Sequence, residues 1–258
     1  MELTFERGLW KETIYNSQRN IWLMLGIVSA LIALSVAQDI WKLGTSGNIG
    51  ATFAWIILAI AAHATILKGQ SGYISTVDKK IFRPFILRAF AFAAVGIIGS
   101  LFTIPFWGDG SLGRIILAML PAYGLTEALL LAKWGTWLPA VVAEGDLSFA
   151  AAGRRGSVTF GYICLRLILC NGILLANAFI TFAVALDYAG SDGAIWTQAS
   201  GFNFGALAAT LAFFFAFAFQ TVMLATVLSR AYLISEAKLK KAMPATTAGI
   251  QEVGNTST

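Results

Sequence analysis

The chain has 258 residues, of which 58% are hydrophobic and 12% charged, with a net charge of +5 and a mean hydropathy of +0.75. Soluble domains carry about 25% charged residues, so a soluble fold of this length would leave too much apolar surface in water, whereas lipid accepts it directly. The basic residues sit in short clusters between apolar runs, which argues against a nucleic-acid partner and for the loops of an integral membrane protein.

Six apolar runs have about the 17–25 residues needed to span a bilayer as a helix: 21–37, 49–66, 85–104, 115–132, 161–186 and 204–228. Ahead of the first run, Arg7, Lys11 and Arg19 are mixed with Glu2, Glu6 and Glu12. Ser35-Val36-Ala37 loosely has the form of a signal-peptide cleavage site. Such a peptide needs a purely basic flank, so the first run is expected to remain a span. After the third run comes Gly108-Asp109-Gly110-Ser111-Leu112-Gly113. This GxGxxG lacks the preceding strand of a dinucleotide site and reads as a turn. The fifth run, the longest, is expected to tilt or project beyond the bilayer. It holds Cys164 and Cys170, which point to different helix faces and read as buried hydrophobes. Gly201, Gly205 and Ala209 form a small-residue ladder opening the sixth run, which admits a closely packed neighbour. Residues 229–243 read as a prolongation of the last helix, ending in Lys238, Lys240 and Lys241. The expected organisation is one membrane domain over 1–241 and a small, polar, disordered tail over 242–258.

Orientation follows from the basic residues. The N-terminal flank, the second loop (Lys68, Lys79, Lys80, Arg83), the fourth loop (Lys133, Arg154, Arg155) and the C-terminus (Arg230, Lys238, Lys240, Lys241) hold fourteen of the eighteen. The opposite loops hold only Lys42 and Arg114, and Arg88 and Arg166 fall inside spans. The positive-inside rule then places both termini in the cytoplasm. Trp22, Trp41, Trp107, Trp134, Trp137 and Trp196 fall near span boundaries, as an aromatic belt should. The expectation is an all-α bundle of six transmembrane helices, N-in and C-in.

The intramembrane polar residues are the pointers to function, because a charge inside a span costs about 2.5–3.5 kcal/mol on insertion scales. Glu127 lies six residues before Lys133, about 9 Å deep at 1.5 Å per residue, and Arg166 enters the next span to a similar depth. An ion pair between them would limit the cost of each. His63 and Gln220 lie in the same half of their spans. The four residues His63, Glu127, Arg166 and Gln220 therefore form either a polar pocket open to the cytoplasm or interhelical glue, and glue is the reading the sequence favours. Arg88, near its helix start, is expected to snorkel to the interface.

Between the fourth and fifth runs, Lys133, Trp134, Trp137, Pro139 and Glu144 are followed by Leu147, Ser148 and Gly153-Arg154-Arg155-Gly156. Asp146 can cap a short amphipathic helix that closes at Arg154-Arg155-Gly156 and lies at the interface, its arginines near anionic lipid phosphates. This segment resembles the cytoplasmic linker of bacterial six-span proteins of the glycerophosphoryl diester phosphodiesterase membrane-domain type. Pro139 and Glu144 fall where that pattern expects them. The resemblance covers about 30 residues, implies the six-span layout, and carries no catalytic residue, since no phosphodiesterase domain is present.

No nucleophile elbow, HExxH, CxxC or P-loop occurs. The sequence implies no cofactor, no metal and no nucleic acid. The expected role is a non-catalytic accessory or lipid-interacting component of the bacterial inner membrane. The alternative is a small transporter or permease subunit using the polar cluster, with a membrane enzyme third. The expected partners are the bilayer, anionic headgroups, and a membrane protein or a second copy of the chain.

Overall fold

A computed structural model of the chain describes the backbone of residues 8–42, 47–69, 79–106, 112–188, 194–197 and 201–242, and their side chains except at 47–49, 79, 106, 112–121, 170, 171 and 173–188. Among these residues there are eight α-helices: α1 (Leu9–Arg19), α2 (Ile21–Trp41), α3 (Gly47–Lys68), α4 (Lys79–Leu101), α5 (Leu112–Trp134), α6 (Trp137–Val142), α7 (Phe149–Tyr188) and α8 (Phe204–Ala242). A 3-10 turn at Ile104–Phe106 follows α4, and a small antiparallel hairpin, β1 (Trp196–Thr197) with β2 (Gly201–Phe202), precedes α8.

Helices α2, α3, α4, α5, α7 and α8 have 21 or more residues each, hence at least about 31 Å of rise, enough for a hydrocarbon core of about 30 Å. Among the described residues, four stretches are long and apolar enough to cross a membrane: Ile21–Trp41, Gly50–Lys68, Lys80–Leu101 and Phe204–Ala242. The runs expected at 115–132 and 161–186 lie on α5 and α7, where many side chains fall outside the described residues. So do residues 107–111 of the expected glycine turn and the expected tail from residue 243 onward. The outward faces of the long helices are apolar: Ile97, Ile98 and Leu101 on α4 and Leu165, Ile168 and Leu169 on α7 are all exposed. An apolar exterior of this extent fits a membrane protein.

The two ends of the bundle differ. At one, Glu12 pairs with Arg230, Lys68 with Glu144, and Arg155 with Glu236; we call it the basic end. At the other, the carboxylate of Asp39 accepts hydrogen bonds from the backbone N–H groups of Ile195 (2.7 Å) and Trp196 (3.2 Å), fastening the hairpin to the end of α2.

In lipid the hydrophobic effect does not favour helix against helix, so close approach and polar contacts hold the bundle. At Gly96 of α4, an added Cβ would sit 2.8 Å from Cε2 of Tyr123 on α5, so the glycine makes room for the ring. At Gly156 of α7, it would fall on the Lys133 carbonyl oxygen at the end of α5. The ladder expected at Gly201, Gly205 and Ala209 is corrected at its first member: Gly201 lies in β2 with a left-handed φ of +72°, before α8 begins.

Helix α1 was not expected as a separate element. Its polar residues Thr13, Asn16, Ser17 and the following Asn20 recur at helical spacing and are buried, Thr13 at 0% and Asn20 at 1% exposure. Its apolar residues Trp10, Ile14 and Tyr15 face out, each 48% exposed. Thr13 bonds back to the Leu9 carbonyl of its own helix (2.8 Å), and two residues of the buried face bond across to the bundle. Asn16 donates from Nδ2 to Oγ1 of Thr226 on α8 (3.2 Å), and Asn20 donates from Nδ2 to Oγ1 of Thr65 on α3 (3.2 Å). Trp10 stacks on Phe219, with ring centroids 6.1 Å apart. Interhelical hydrogen bonds of this kind contribute about 0.6 kcal/mol each in membrane bundles.

The linker differs most from expectation. The surface helix expected to close at Gly156 does not close: α7 runs unbroken from Phe149 to Tyr188. Gly156 serves the close approach to α5 rather than a helix end. Asp146 does not cap the helix either. Its Oδ1 accepts the backbone N–H of Ser148 (2.8 Å), while the Ser148 hydroxyl accepts the N–H of Ala151 (3.2 Å) and is the N-cap. The bond from Ser148 holds the exposed Asp146 carboxyl below its ordinary pKa.

Candidate functional site

A cavity of about 540 Å³ lies inside the bundle, within the 300–1,000 Å³ typical of small-molecule sites. Each wall is one helical face. Thr52, Trp55, Ala59 and His63 come from α3, Phe85, Ala89 and Ala93 from α4, Tyr123, Glu127 and Leu131 from α5, and Phe217, Gln220, Leu224 and Leu228 from α8. These positions recur every three or four residues, which keeps each set on one side of its helix. The short helix α6 closes the basic end: its Leu138 lines the cavity, and Pro139, Ala140, Val141 and Val142 are all buried. Toward the other end Thr52 and Phe90 are exposed, so the cavity opens along the seam of α3 and α4.

Three of the four residues expected to cluster are gathered here. His63, 1% exposed, shares a 2.7 Å hydrogen bond between its Nδ1 and the Ser229 hydroxyl, and its ring meets Phe85 edge-on with centroids 5.7 Å apart. Glu127 and Gln220 line the chamber from α5 and α8. Arg166 is not among them, and this corrects the expected ion pair. Its guanidinium lies 3.8 Å from the Tyr162 ring centroid and donates to the Tyr162 carbonyl at 3.4 Å, one turn back on its own helix. Among the described residues no ion pair joins Arg166 to Glu127. The cation–π contact satisfies the arginine within α7, so equal depth did not bring the two charges together.

The linker residues split by role. Pro139 sits in the first turn of α6, where its missing N–H costs nothing. Glu144 has a left-handed φ of +56° and pairs through Oε1 with Lys68 Nζ at 2.7 Å, tying the linker to the end of α3. Arg154 is exposed, 4.0 Å from Asp146. Arg155, expected at the lipid surface, is buried at 2% exposure. It donates to Glu236 on α8 (3.1 Å) and to the Asp146 carbonyl (2.9 Å), and lies over the Tyr232 ring. Arg88 does not snorkel freely: it lies 4.6 Å from the Trp137 ring centroid and bonds the Pro84 carbonyl at 2.9 Å. Trp137 in turn donates from Nε1 to the Leu147 carbonyl (2.6 Å), so α6 is latched on both sides.

The sequence reading missed Tyr123, Trp55 and Phe217 as cavity walls, because aromatic residues in an apolar run look alike until one face is known. It also missed the polar stripe of α1 and the pin at Asp39. The stripe was detectable, since Thr13, Asn16, Ser17 and Asn20 follow i, i+3, i+4, i+7.

In chemical terms the chamber offers apolar and aromatic walls, one carboxyl, one amide, one phenol, one imidazole and two threonine hydroxyls. Among the described residues, no three His, Cys, Asp or Glu side chains gather at one place. Compared with known protein families, curated proteins and solved structures, the chain finds no match in any of the three.

Proposed function

We propose that this is a six-span protein of the bacterial inner membrane, with both termini cytoplasmic, and that it binds a lipid or other amphiphile in its intramembrane cavity without transforming it. The observation that carries the reading is the cavity itself, a largely apolar chamber in which Thr52, His63, Tyr123, Glu127, Gln220 and Thr221 are the polar groups placed among aromatic walls. Its opening lies on the α3–α4 seam, beside the exposed apolar face of α4, and its basic end is stopped by α6. An amphiphile entering from lipid suits both features. The linker from Lys133 to Gly156 resembles that of the glycerophosphoryl diester phosphodiesterase membrane-domain type, and this likeness bears on the six-span layout alone. Exposed Arg154 and the run Lys238, Lys240 and Lys241 supply the contact with anionic headgroups.

A second reading, a small permease, is favoured by one feature: only the six-residue α6 separates the cavity from the basic end. The test is to purify the chain in mild detergent and identify bound small molecules by native mass spectrometry. We expect a stoichiometric amphiphile in the parent and its loss from Ala89→Trp, which projects an indole into the chamber beside Glu127 and the aromatic walls. A chain that is empty in both, at unchanged thermal stability, would refute the binding role. Uptake of the same amphiphile into sealed vesicles would select the permease.

A further inference from the structure

We infer that the cavity selects a cationic amphiphile, a bulky organic monocation held by Glu127 and the surrounding aromatic faces; the inference rests on the cavity being an amphiphile site. Trp55, Phe85, Phe90, Tyr123 and Phe217 turn toward one chamber, and Trp55 and Phe217 touch, with ring centroids 5.0 Å apart. Aromatic faces carry negative quadrupole density and attract a cation placed over them. Among the described lining residues Glu127 is the only carboxylate, and none is Lys or Arg.

The neighbouring cations are committed elsewhere. Arg88 and Ala89 are adjacent on α4, yet only Ala89 lines the chamber, while the Arg88 guanidinium lies over Trp137. Arg166 lies over Tyr162. His63 spends Nδ1 on Ser229. No ion pair to Glu127 forms among the described residues, so a positive ligand beside it would supply the counter-charge that a carboxylate needs to ionise in a low-dielectric setting. Neither an anionic nor a neutral amphiphile would supply that counter-charge.

The probes are tetraphenylphosphonium and tetraphenylborate, which match in shape and oppose in charge. Binding of each to the full chain in mild detergent is measured as the part displaced by excess unlabelled probe. We expect the cation to bind at least about tenfold more tightly than the anion, a difference of about 1.4 kcal/mol. Glu127→Gln should remove that preference, Glu127→Asp should keep most of it, and Ala89→Trp should abolish displaceable binding of both probes. Equal affinities in the parent, or a cation preference that survives Glu127→Gln, would overturn the inference and leave the amphiphile site standing. Binding of both probes that survives Ala89→Trp, or of neither in the parent, would remove the site as well.

Discussion

Two arginines in similar sequence settings meet opposite fates. Arg166 was expected to reach across to Glu127, but its own Tyr162 offers a cation–π partner one turn away at no cost in chain geometry. Glu127→Gln and Arg166→Gln should therefore act additively on thermal stability in detergent, to within about 0.5 kcal/mol; a coupling above 1 kcal/mol would show that the charges meet. Arg155 and Arg154 are adjacent, yet one helical step separates a buried clasp from a solvated surface. Removing a partner from a buried ion pair costs about 3–5 kcal/mol. Arg155→Ala should fall at the lower end of that range, because Glu236 remains about a third exposed. Arg154→Glu should leave stability unchanged and weaken sedimentation with anionic vesicles by about 1 kcal/mol or somewhat more. If both variants behave alike, the clasp is not the source of the difference. None of this splitting was legible in the sequence, because two consecutive basic residues give no sign of which faces the last helix.

At the scale of elements, α1 is polar inside and apolar outside, the reverse of a helix on a water-soluble core. With Trp10, Ile14 and Tyr15 outward and the nearby Trp22 83% exposed, this face suits the acyl–headgroup boundary. Brominated lipids should quench Trp fluorescence in a variant retaining only Trp10, and emission there should be blue-shifted. A water-like spectrum without quenching would show that α1 lies off the membrane. The merger of the linker with α7 is the other lesson. The Arg154-Arg155-Gly156 run reads as a helix end because glycine often follows one, but here the glycine is required by the Lys133 carbonyl against it. Gly156→Ala must therefore push α5 from α7, an overpacking cost of about 1–3 kcal/mol, whereas alanine at the open Gly161, where nothing lies within 4 Å, should be neutral or slightly stabilising in a thermal melt. The long helices were legible because hydropathy fixes them. The close approaches were not, since they depend on which faces meet.

For the whole molecule, side chains distant in sequence mark which helix ends lie together. Glu12 pairs with Arg230, Lys68 with Glu144 and Arg155 with Glu236, so the start of α1, the end of α3, the linker and the last turns of α8 share one end. Asp39 holds Ile195 and Trp196, so the end of α2 and the approach to α8 share the other. The sequence reading expects the same sidedness, with fourteen of eighteen basic residues in segments assigned to the side of the termini. The site was legible in half: hydropathy and depth were enough to single out His63, Glu127 and Gln220, but depth alone could not say that Arg166 turns away. The two lines of argument about sidedness meet in one experiment. Reporter fusions at Thr258 and between Lys79 and Arg83 should report cytoplasm, because the excess of Lys and Arg resists translocation. Fusions at Gly110 and Gly193 should report the opposite side, since each follows an odd number of crossings counted from the N-terminus. Gly193 is the more telling position, because it lies two residues before Ile195 in the sequence and Asp39 fastens Ile195 to the far end of α2. A cytoplasmic signal at Gly193 would require either that α7 does not cross or that α2 does not, and the six-span arrangement would fall with it.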